Sequence, residues 1–224
     1  MAYLGAGVSR FTTADGLTVS GNATVSGNID VDGTTDLDGL TIAGNLSVDS
    51  GTIKLDGNYP TGNNNVALGD TALDSLTTAP ANVAIGANAL TALTTGDTVG
   101  ENTAVGHNSM AANTTGFRNT AYGAYALDAN TTADNNTALG WSALGANTTG
   151  VSNVALGYAA LDANTTANNN TALGYNSLGD NTTGTENVAV GGFAGDAITT
   201  GNHNTALGYQ TYGAGTTASF NTAV

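Results

Sequence analysis

Four aspartates, Asp30, Asp32, Asp36 and Asp38, have the residue type and the close spacing that a calcium site requires. They fall in the pattern Asp-x-Asp-Gly-x-x-Asp-x-Asp-Gly, whereas an EF-hand loop places its glycine after three ligands. The aspartates also alternate with apolar residues, which is typical of the solvent-facing side of a β-strand. The sequence therefore predicts no metal site here, although a three-fold axis would bring three copies of one aspartate together.

The two histidines, His107 and His203, are the next candidates for chemistry, and they occupy non-equivalent places in the sequence. No Ser-His-Asp set, phosphate-binding loop or metal cluster stands out around them. We therefore predict no catalytic residue, no cofactor and no enzyme activity. A glycan-cleaving pair of carboxylates is the alternative, although the carboxylates after residue 65 are few and lie mostly in predicted turns.

Large aromatic residues recur with a regular spacing. Trp141, Tyr158 and Tyr175 are 17 residues apart, Tyr209 follows after 34, and Phe193 is one residue out of phase. Residues spaced in this way fall on one face if the chain repeats every 17 residues. Two interpretations are open: the rings contact a receptor or glycan, or they stack on each other and fill a groove between chains.

The whole chain after residue 64 follows that 17-residue period. The tetrad Asn-Thr/Val-Ala-aliphatic begins at residues 65, 82, 102, 119, 136, 153, 170, 187, 204 and 221, and eight of the nine intervals are 17. The remaining interval is 20 and includes a three-residue insertion in TTGDTVGEN. The consensus unit is N-[TV]-A-[LVIY]-G-x-x-[AS]-[LM]-x-x-N-T-T-[GA]-x-x, and its first asparagine is called position 1 below.

Such a unit predicts one coil of a parallel β-solenoid. Asn, Thr and Gly are poor helix formers, whereas T-A-L suits a short strand and the A/S-L pair suits a second one. A single coil buries almost nothing, so that the coils must stack, with strands about 4.8 Å apart. The expected product is an all-β rod of about 45 Å, built from 17-residue coils.

The strand pattern also predicts an outward apolar stripe. Alanine at position 3 fits the narrow interior, and the larger residue at position 4 points away from it. The stripe consists of Leu68, Ile85, Val105, Leu139, Leu156, Leu173, Val190 and Leu207. An exposed stripe of this length favours association, and we predict a homotrimer with the stripes packed about its axis.

Repeated polar residues predict ladders along the rod. The asparagines at position 1, and Asn113, Asn130, Asn147, Asn164 and Asn181 at position 12, are expected to bond to turn backbone and to each other. Several of the position-12 residues form Asn-x-Thr sequons, for which a structural role is the favoured interpretation. The adjacent threonines at positions 13 and 14 point to opposite faces, which disfavours ice binding.

Composition excludes several classes of partner. The net charge is -14, with only three basic residues, Arg10, Lys54 and Arg118, so we predict no nucleic-acid partner. There is no cysteine, and no apolar run is long enough for a transmembrane helix, so we expect no disulfide and no membrane insertion. Residues 1–16 lack the pattern of a signal peptide.

A different repeat precedes the 17-residue units. Apolar residues two apart recur about every six residues between residues 17 and 57, and most pairs are followed by glycine. We divide the chain into an N-terminal attachment segment (1–16), a hexad-repeat β shaft (17–57), a linker (58–64) and the solenoid (65–224). For the shaft we favour an intertwined three-chain β-prism over a single-chain hexapeptide β-helix, which would have little more than two turns.

The solenoid repeat resembles the head repeats of YadA-like trimeric adhesins, as NTALGYNSLGDNTTG, NVALGYAALDANTT and NTAVGHNSM illustrate. The resemblance implies a left-handed parallel β-roll with three chains to a head. The segment LTVSGNATVSGNIDVDGTTDLDGLTIAGNLSVDSG is similar to fibre repeats of tailed phages, particularly marine ones, and MAYLGAGVSRF is similar to a virion-attachment segment.

Together these resemblances imply a structural virion fibre, extracellular and homotrimeric, that reaches toward the host cell. Its expected partners are other virion tail or fibre proteins at the N-terminus and a host surface glycan or protein. A fragment of a bacterial trimeric surface adhesin is the first alternative, and a glycan-cleaving tailspike is the second.

Overall fold

The computed structural model describes residues 64–76, 78–94 and 100–224. The predicted attachment segment (1–16), the shaft (17–57) and all of the linker (58–64) except Asn64 lie outside the described residues. So does most of the three-residue insertion in the second unit. The described residues contain no helix, and therefore none that is long and apolar enough to cross a membrane.

The described residues form one parallel sheet, to which every coil contributes a short strand. The strands are β1 (Val66–Leu68), β2 (Val83–Ile85), β3 (Thr103–Val105), β4 (Thr120–Tyr122), β5 (Thr137–Leu139), β6 (Val154–Leu156), β7 (Thr171–Leu173), β8 (Val188–Val190), β9 (Thr205–Leu207) and β10 (Thr222–Ala223). They lie side by side in chain order and in register, so that Ala138 pairs with Ala155. The sheet is about 43 Å long on the usual strand spacing. The predicted all-β parallel solenoid with 17-residue coils is confirmed.

Nine coils are numbered here by their first residue: 65, 82, 102, 119, 136, 153, 170, 187 and 204. Residues 221–224 begin a tenth.

The predicted second strand in each coil is wrong. Positions 8 and 9 form turns, because the residues at positions 7 and 9 have left-handed backbone, as do Ser142 (φ 54) and Leu144 (φ 53) in coil 5. Rung-to-rung backbone hydrogen bonds persist there, with Leu144 N–H donating to Ala160 C=O at 3.0 Å. The segment is therefore bonded as a strand would be, but the alternation of left-handed residues curls it around the interior.

The interior is narrow and is filled by columns of identical or similar residues. Alanine at position 3 points inward and is fully buried from coil 2 to coil 9, which confirms the predicted direction of the strand side chains. The large apolar filler is position 9, occupied by Leu73, Leu90, Met110, Leu127, Leu144, Leu161 and Leu178, all fully buried. Each such side chain stabilises the fold by about 1.5–3 kcal/mol, so that the leucine column holds most of the hydrophobic energy.

The predicted asparagine ladders are confirmed, and side chains of both ladders donate to the same backbone carbonyl. At position 1, Asn153 N–H donates to Asn136 Oδ1 (2.9 Å), and Asn153 Nδ2 donates to Ala167 C=O (2.8 Å). At position 12, Asn164 Nδ2 donates to Asn147 Oδ1 (2.9 Å) and also to Ala167 C=O (3.2 Å). The carbonyl at position 15 thus accepts hydrogen bonds from both ladders, so that the buried side-chain amides have partners along the rod.

The complete repeat of the middle coils is two coils, or 34 residues. Position 10 alternates between Asp128, Gly145, Asp162, Gly179, Asp196 and Gly213. Position 16 alternates as well: Asp134, Asn168 and Asn202 accept the backbone N–H of the preceding coil at 2.9, 2.7 and 2.7 Å. Alternation places the position-10 carboxylates about 9.6 Å apart instead of 4.8 Å, near the screening length of physiological salt.

Coil 8 departs from the pattern at two buried positions. Gly195 replaces the usual leucine at position 9, and Ile198 replaces the usual asparagine at position 12. A Cβ on Gly195 would lie 3.1 Å from Ile198 Cδ1, so that the isoleucine extends into the space that the leucine leaves. The exchange ends the second ladder, and the buried Asn181 Oδ1 has no hydrogen-bond partner.

Candidate binding surface

The outer face of the sheet is uncharged along the nine full coils. It consists of the outward residues at positions 2 and 4 of β1 to β9, which are threonine, valine, leucine, isoleucine or tyrosine. The described charged groups lie elsewhere, mainly at positions 10, 11, 16 and 17. In a chain with a net charge of -14, this segregation marks the outer face as the surface most suited to contact with apolar material.

The predicted stripe occupies the position-4 column of this face. Leu68, Leu139, Leu173 and Leu207 are exposed, whereas Ile85, Val105, Leu156 and Val190 are half-buried. Sequence reasoning missed Tyr122, which fills the same column in coil 4 and is 57% exposed. The stripe is therefore continuous from coil 1 to coil 9.

The aromatic residues form an unbroken ladder across seven coils. Adjacent ring centroids lie 5.3 Å apart for His107–Tyr125, 6.1 Å for Tyr125–Trp141, 4.8 Å for Trp141–Tyr158, 5.2 Å for Tyr158–Tyr175, 5.0 Å for Tyr175–Phe193 and 6.1 Å for Phe193–Tyr209. These seven rings are called the aromatic ladder below. Of the four residues predicted as receptor contacts, Trp141, Tyr158 and Tyr175 stack directly, and Tyr209 joins them through Phe193.

Sequence reasoning missed His107 and Tyr125 as members of the ladder, although a signal for them exists. Within coils 3 to 9, the ring comes from position 7 where position 6 is small: Tyr125 accompanies Ala124, and Phe193 accompanies Gly192. The compensation keeps one ring in every coil from coil 3 to coil 9.

Ring orientation decides what the ladder presents to a ligand. Trp141, Tyr158 and Tyr175 are nearly parallel, with interplanar angles of 15° and 8°. Their faces therefore cover one another and their edges point outward, about half exposed. Sugars that stack on aromatic rings need an open face, so the middle of the ladder is better suited to packing against apolar side chains.

A further column at position 17 carries two exposed side-chain contacts, one between arginine and glutamate and one between histidine and glutamate. Arg118 Nε contacts Glu101 Oε2 at 2.9 Å, and His203 Nδ1 contacts Glu186 Oε2 at 3.0 Å. His203 also stacks on Phe220, with centroids 4.7 Å apart. Because all these groups are exposed, each pair contributes little to stability, and the column forms a solvated edge.

The sequons and the threonine pairs have the structural roles that the sequence pattern predicts. Asn113, Asn130, Asn147, Asn164 and Asn181 are fully buried in the second ladder. The hydroxyl at position 13 donates to the next rung, as Thr148 Oγ1 does to Thr165 C=O at 3.0 Å. Position 14, as in Thr149 and Thr183, is exposed, so the two threonines do face opposite ways.

The described part of the chain brings no potential metal ligands together: no group there holds three or more His, Asp or Glu side chains. The aspartate cluster from Asp30 to Asp38 lies outside the described residues. Within them, burial raises the pKa of the Asp128 carboxyl, and repulsion from Asp162 adds to the effect, while hydrogen bonds from the backbone at Ala129 and Asp128 oppose it. His107 belongs to the aromatic ladder and His203 to the position-17 column, so the two histidines are not brought together.

No protein-family model, curated protein or solved structure matches this chain.

Proposed function

We propose that the protein is a structural fibre protein of a virion, in which three solenoids associate through their outer sheet faces into one extracellular rod. The observation that carries the proposal is the uncharged outer face with its continuous aliphatic stripe. A rod of about 43 Å per solenoid, stiffened by rung-to-rung bonding, suits a part that holds a tip away from a particle. The resemblance to adhesin head repeats and phage fibre repeats supplies the setting.

Charge distribution supports association through this face. Acidic groups at positions 10, 11, 16 and 17 would repel the same groups on a second copy, whereas the sheet face carries no charge from β1 to β9. Closed three-fold symmetry would bury three stripes about one axis and leave the acidic columns in solvent.

The assembly is tested by mass measurement in solution, by light scattering or native mass spectrometry. We expect the wild-type chain to be a trimer and Leu173→Asp/Leu207→Asp to be a folded monomer, because both leucines are exposed in the single chain. Thr183→Asp/Thr217→Asp is the matched control, with the same two charges in the same two coils on the outward turn, and should stay trimeric. A monomeric wild type, or a trimeric leucine variant, would contradict the proposal.

The virion setting is tested separately, by immuno-electron microscopy with antibodies raised against residues 65–224. Labelling of fibres on phage particles is the expected result. Labelling of a bacterial cell surface in the absence of phage would favour the adhesin, which the repeat resemblance supports equally. In either setting the rod contacts a host surface, with a glycan or protein as partner.

A further inference from the structure

The aromatic ladder lies next to the outer sheet face on each coil, and the two are separated only by the glycine at position 5. That glycine bends the chain sharply in every full coil, with φ between 119° and 141°. From coil 3 to coil 9, each coil therefore carries one outward residue before the bend and one ring after it, as with Leu139 and Trp141 in coil 5. The residue before the bend is aliphatic except in coil 4, where it is Tyr122. Both columns run along the rod with the same rise per coil.

We propose that the aromatic ladder of one chain packs against the aliphatic stripe of the neighbouring chain in the trimer. A three-fold assembly uses heterologous contacts, in which a patch on one subunit meets a different patch on the next. Two parallel apolar columns on either side of a bend provide such a pair of patches. This inference rests on the proposed trimer and specifies which surfaces meet.

Three features of the ladder favour a second copy of the chain as its occupant. Its rise matches that of the stripe, so that each ring can meet a position-4 residue at the same level, which is aliphatic in every coil of the ladder except coil 4. From Tyr125 to Tyr209 it carries no charged residue at positions 6 and 7, which avoids repulsion between acidic chains. Its middle rings expose edges, which pack against leucine and valine side chains but offer no open face to a sugar.

The sequence also indicates that a ring is required at every level of the ladder. Tyr125 and Phe193 move to position 7 where position 6 is small, and the series of rings stays continuous from His107 to Tyr209. A ring that packs only within its own coil does not require rings in the neighbouring coils. An interface along the rod does require them, because it would contain a gap wherever a ring is missing.

Trp141 is the only tryptophan of the chain and lies in the ladder, so its fluorescence reports on this surface directly. In a single chain Trp141 is 46% exposed. We expect its emission in the trimer to be shifted to shorter wavelength, and its quenching by acrylamide to be weaker, than in the monomeric Leu173→Asp/Leu207→Asp variant. Those two substitutions lie two or more coils away from Trp141 and leave its own coil unchanged.

A second measurement uses ring removal. Tyr158→Ser should raise the overall dissociation constant of the trimer at least about tenfold, because the substitution removes an aromatic contact at each of three identical interfaces. The same substitution in the monomeric variant measures its effect on the fold alone. Phe220→Ser is the control, because Phe220 is an exposed aromatic residue outside both columns, and trimer affinity should not change.

The outcomes separate this inference from the proposed function. A monomeric wild-type chain would contradict the proposed trimer and therefore both proposals. A trimer in which Trp141 is quenched as readily as in the monomer, and in which Tyr158→Ser has no effect, overturns this inference alone. In that case the ladder faces outward on the assembled rod, where it is free for a host ligand.

Discussion

At the scale of single residues, the position-5 glycines are the least replaceable part of the coil. Gly174 has φ +139, and a Cβ on it would lie 2.5 Å from the carbonyl oxygen of Gly191 in the next coil. Two requirements therefore coincide: a backbone conformation that only glycine adopts freely, and a close approach of two adjacent coils. The first acts within a coil and the second between coils.

Gly174→Ala should consequently destabilise the solenoid by more than the roughly 1–3 kcal/mol of backbone strain alone. Gly208→Ala is the matched control: its φ is +119, but a Cβ there meets only Thr211 Cγ2 at 3.1 Å, because no complete coil covers it. Thermal unfolding followed by circular dichroism compares the two. Equal losses in Tm would show that close approach between coils is not a significant constraint.

At the scale of the coil, the sequence predicts the architecture well because the period is explicit. The spacing of Asn136, Asn153 and Asn170 fixes the length of a coil, and the order T-A-L fixes which residue points inward. The second strand was mispredicted because propensity does not reveal left-handed backbone at residues such as Leu144 and Leu161. Such a conformation is set by rung-to-rung hydrogen bonding, which is a property of the stack rather than of the local sequence.

The candidate surface was predicted less completely for a related reason. Trp141, Tyr158 and Tyr175 keep strict phase and were found from spacing, whereas Tyr125 lies one residue out of phase. Its ring reaches the same column because a turn allows positions 6 and 7 to project to neighbouring places. The orientation of the rings, which decides whether faces or edges are offered, follows from contacts between coils and cannot be read from a single unit.

Coil 8 offers a test of how positions within a coil compensate. Ile198→Asn alone should cost about 2–5 kcal/mol, since it removes a buried side chain beside a glycine. Gly195→Leu alone should cost about 1–3 kcal/mol, because the new side chain would meet Ile198 and Leu178 in a filled interior.

The double variant restores the combination found in coil 7, where Leu178 and Asn181 occupy the same two positions. It also gives the unpartnered Asn181 Oδ1 a donor. We therefore expect the double variant to be at least as stable as the wild type, with a coupling energy of about 3 kcal/mol or more. As a control, the changes in unfolding free energy caused by Gly195→Leu and by Leu93→Asn, which lies in the distant coil 2, should be additive. If the free-energy changes of Gly195→Leu and Ile198→Asn are additive as well, these two positions do not compensate for each other.

At the scale of the whole molecule, the rod behaves as a one-dimensional stack, in which each coil interacts only with its neighbours. Stability should then rise with the number of coils, provided that each new interface is a native one. The two-coil period adds a condition, because adjacent coils differ at positions 10 and 16 and their side chains are matched only in the native order. In coils 5 and 6 that match is the hydrogen bond from Ser142 Oγ to Asp162 Oδ1, at 2.7 Å.

Deletion of residues 153–169 removes one coil and joins coil 5 to coil 7. Ser142 then faces Gly179 instead of Asp162, and the N–H of Val151 loses Asn168 Oδ1, its acceptor at 2.7 Å. Deletion of residues 136–169 removes two coils and joins coil 4 to coil 7, which has the same small residue at position 10 as coil 5.

The shorter chain should therefore unfold at the higher temperature. The lost acceptors at a part-buried N–H and at a hydroxyl cost about 1–3 kcal/mol each, whereas 17 residues contribute a net stability of about 1–2.5 kcal/mol, at roughly 0.05–0.15 kcal/mol per residue. Thermal unfolding of the two deletion variants and the wild type, each brought to the same assembly state by Leu173→Asp/Leu207→Asp, makes the comparison. If Tm simply increases with the number of coils, the repeating unit that matters for folding is the single coil. If the 34-residue deletion is the more stable of the two, the pair of coils is the unit from which the rod is built.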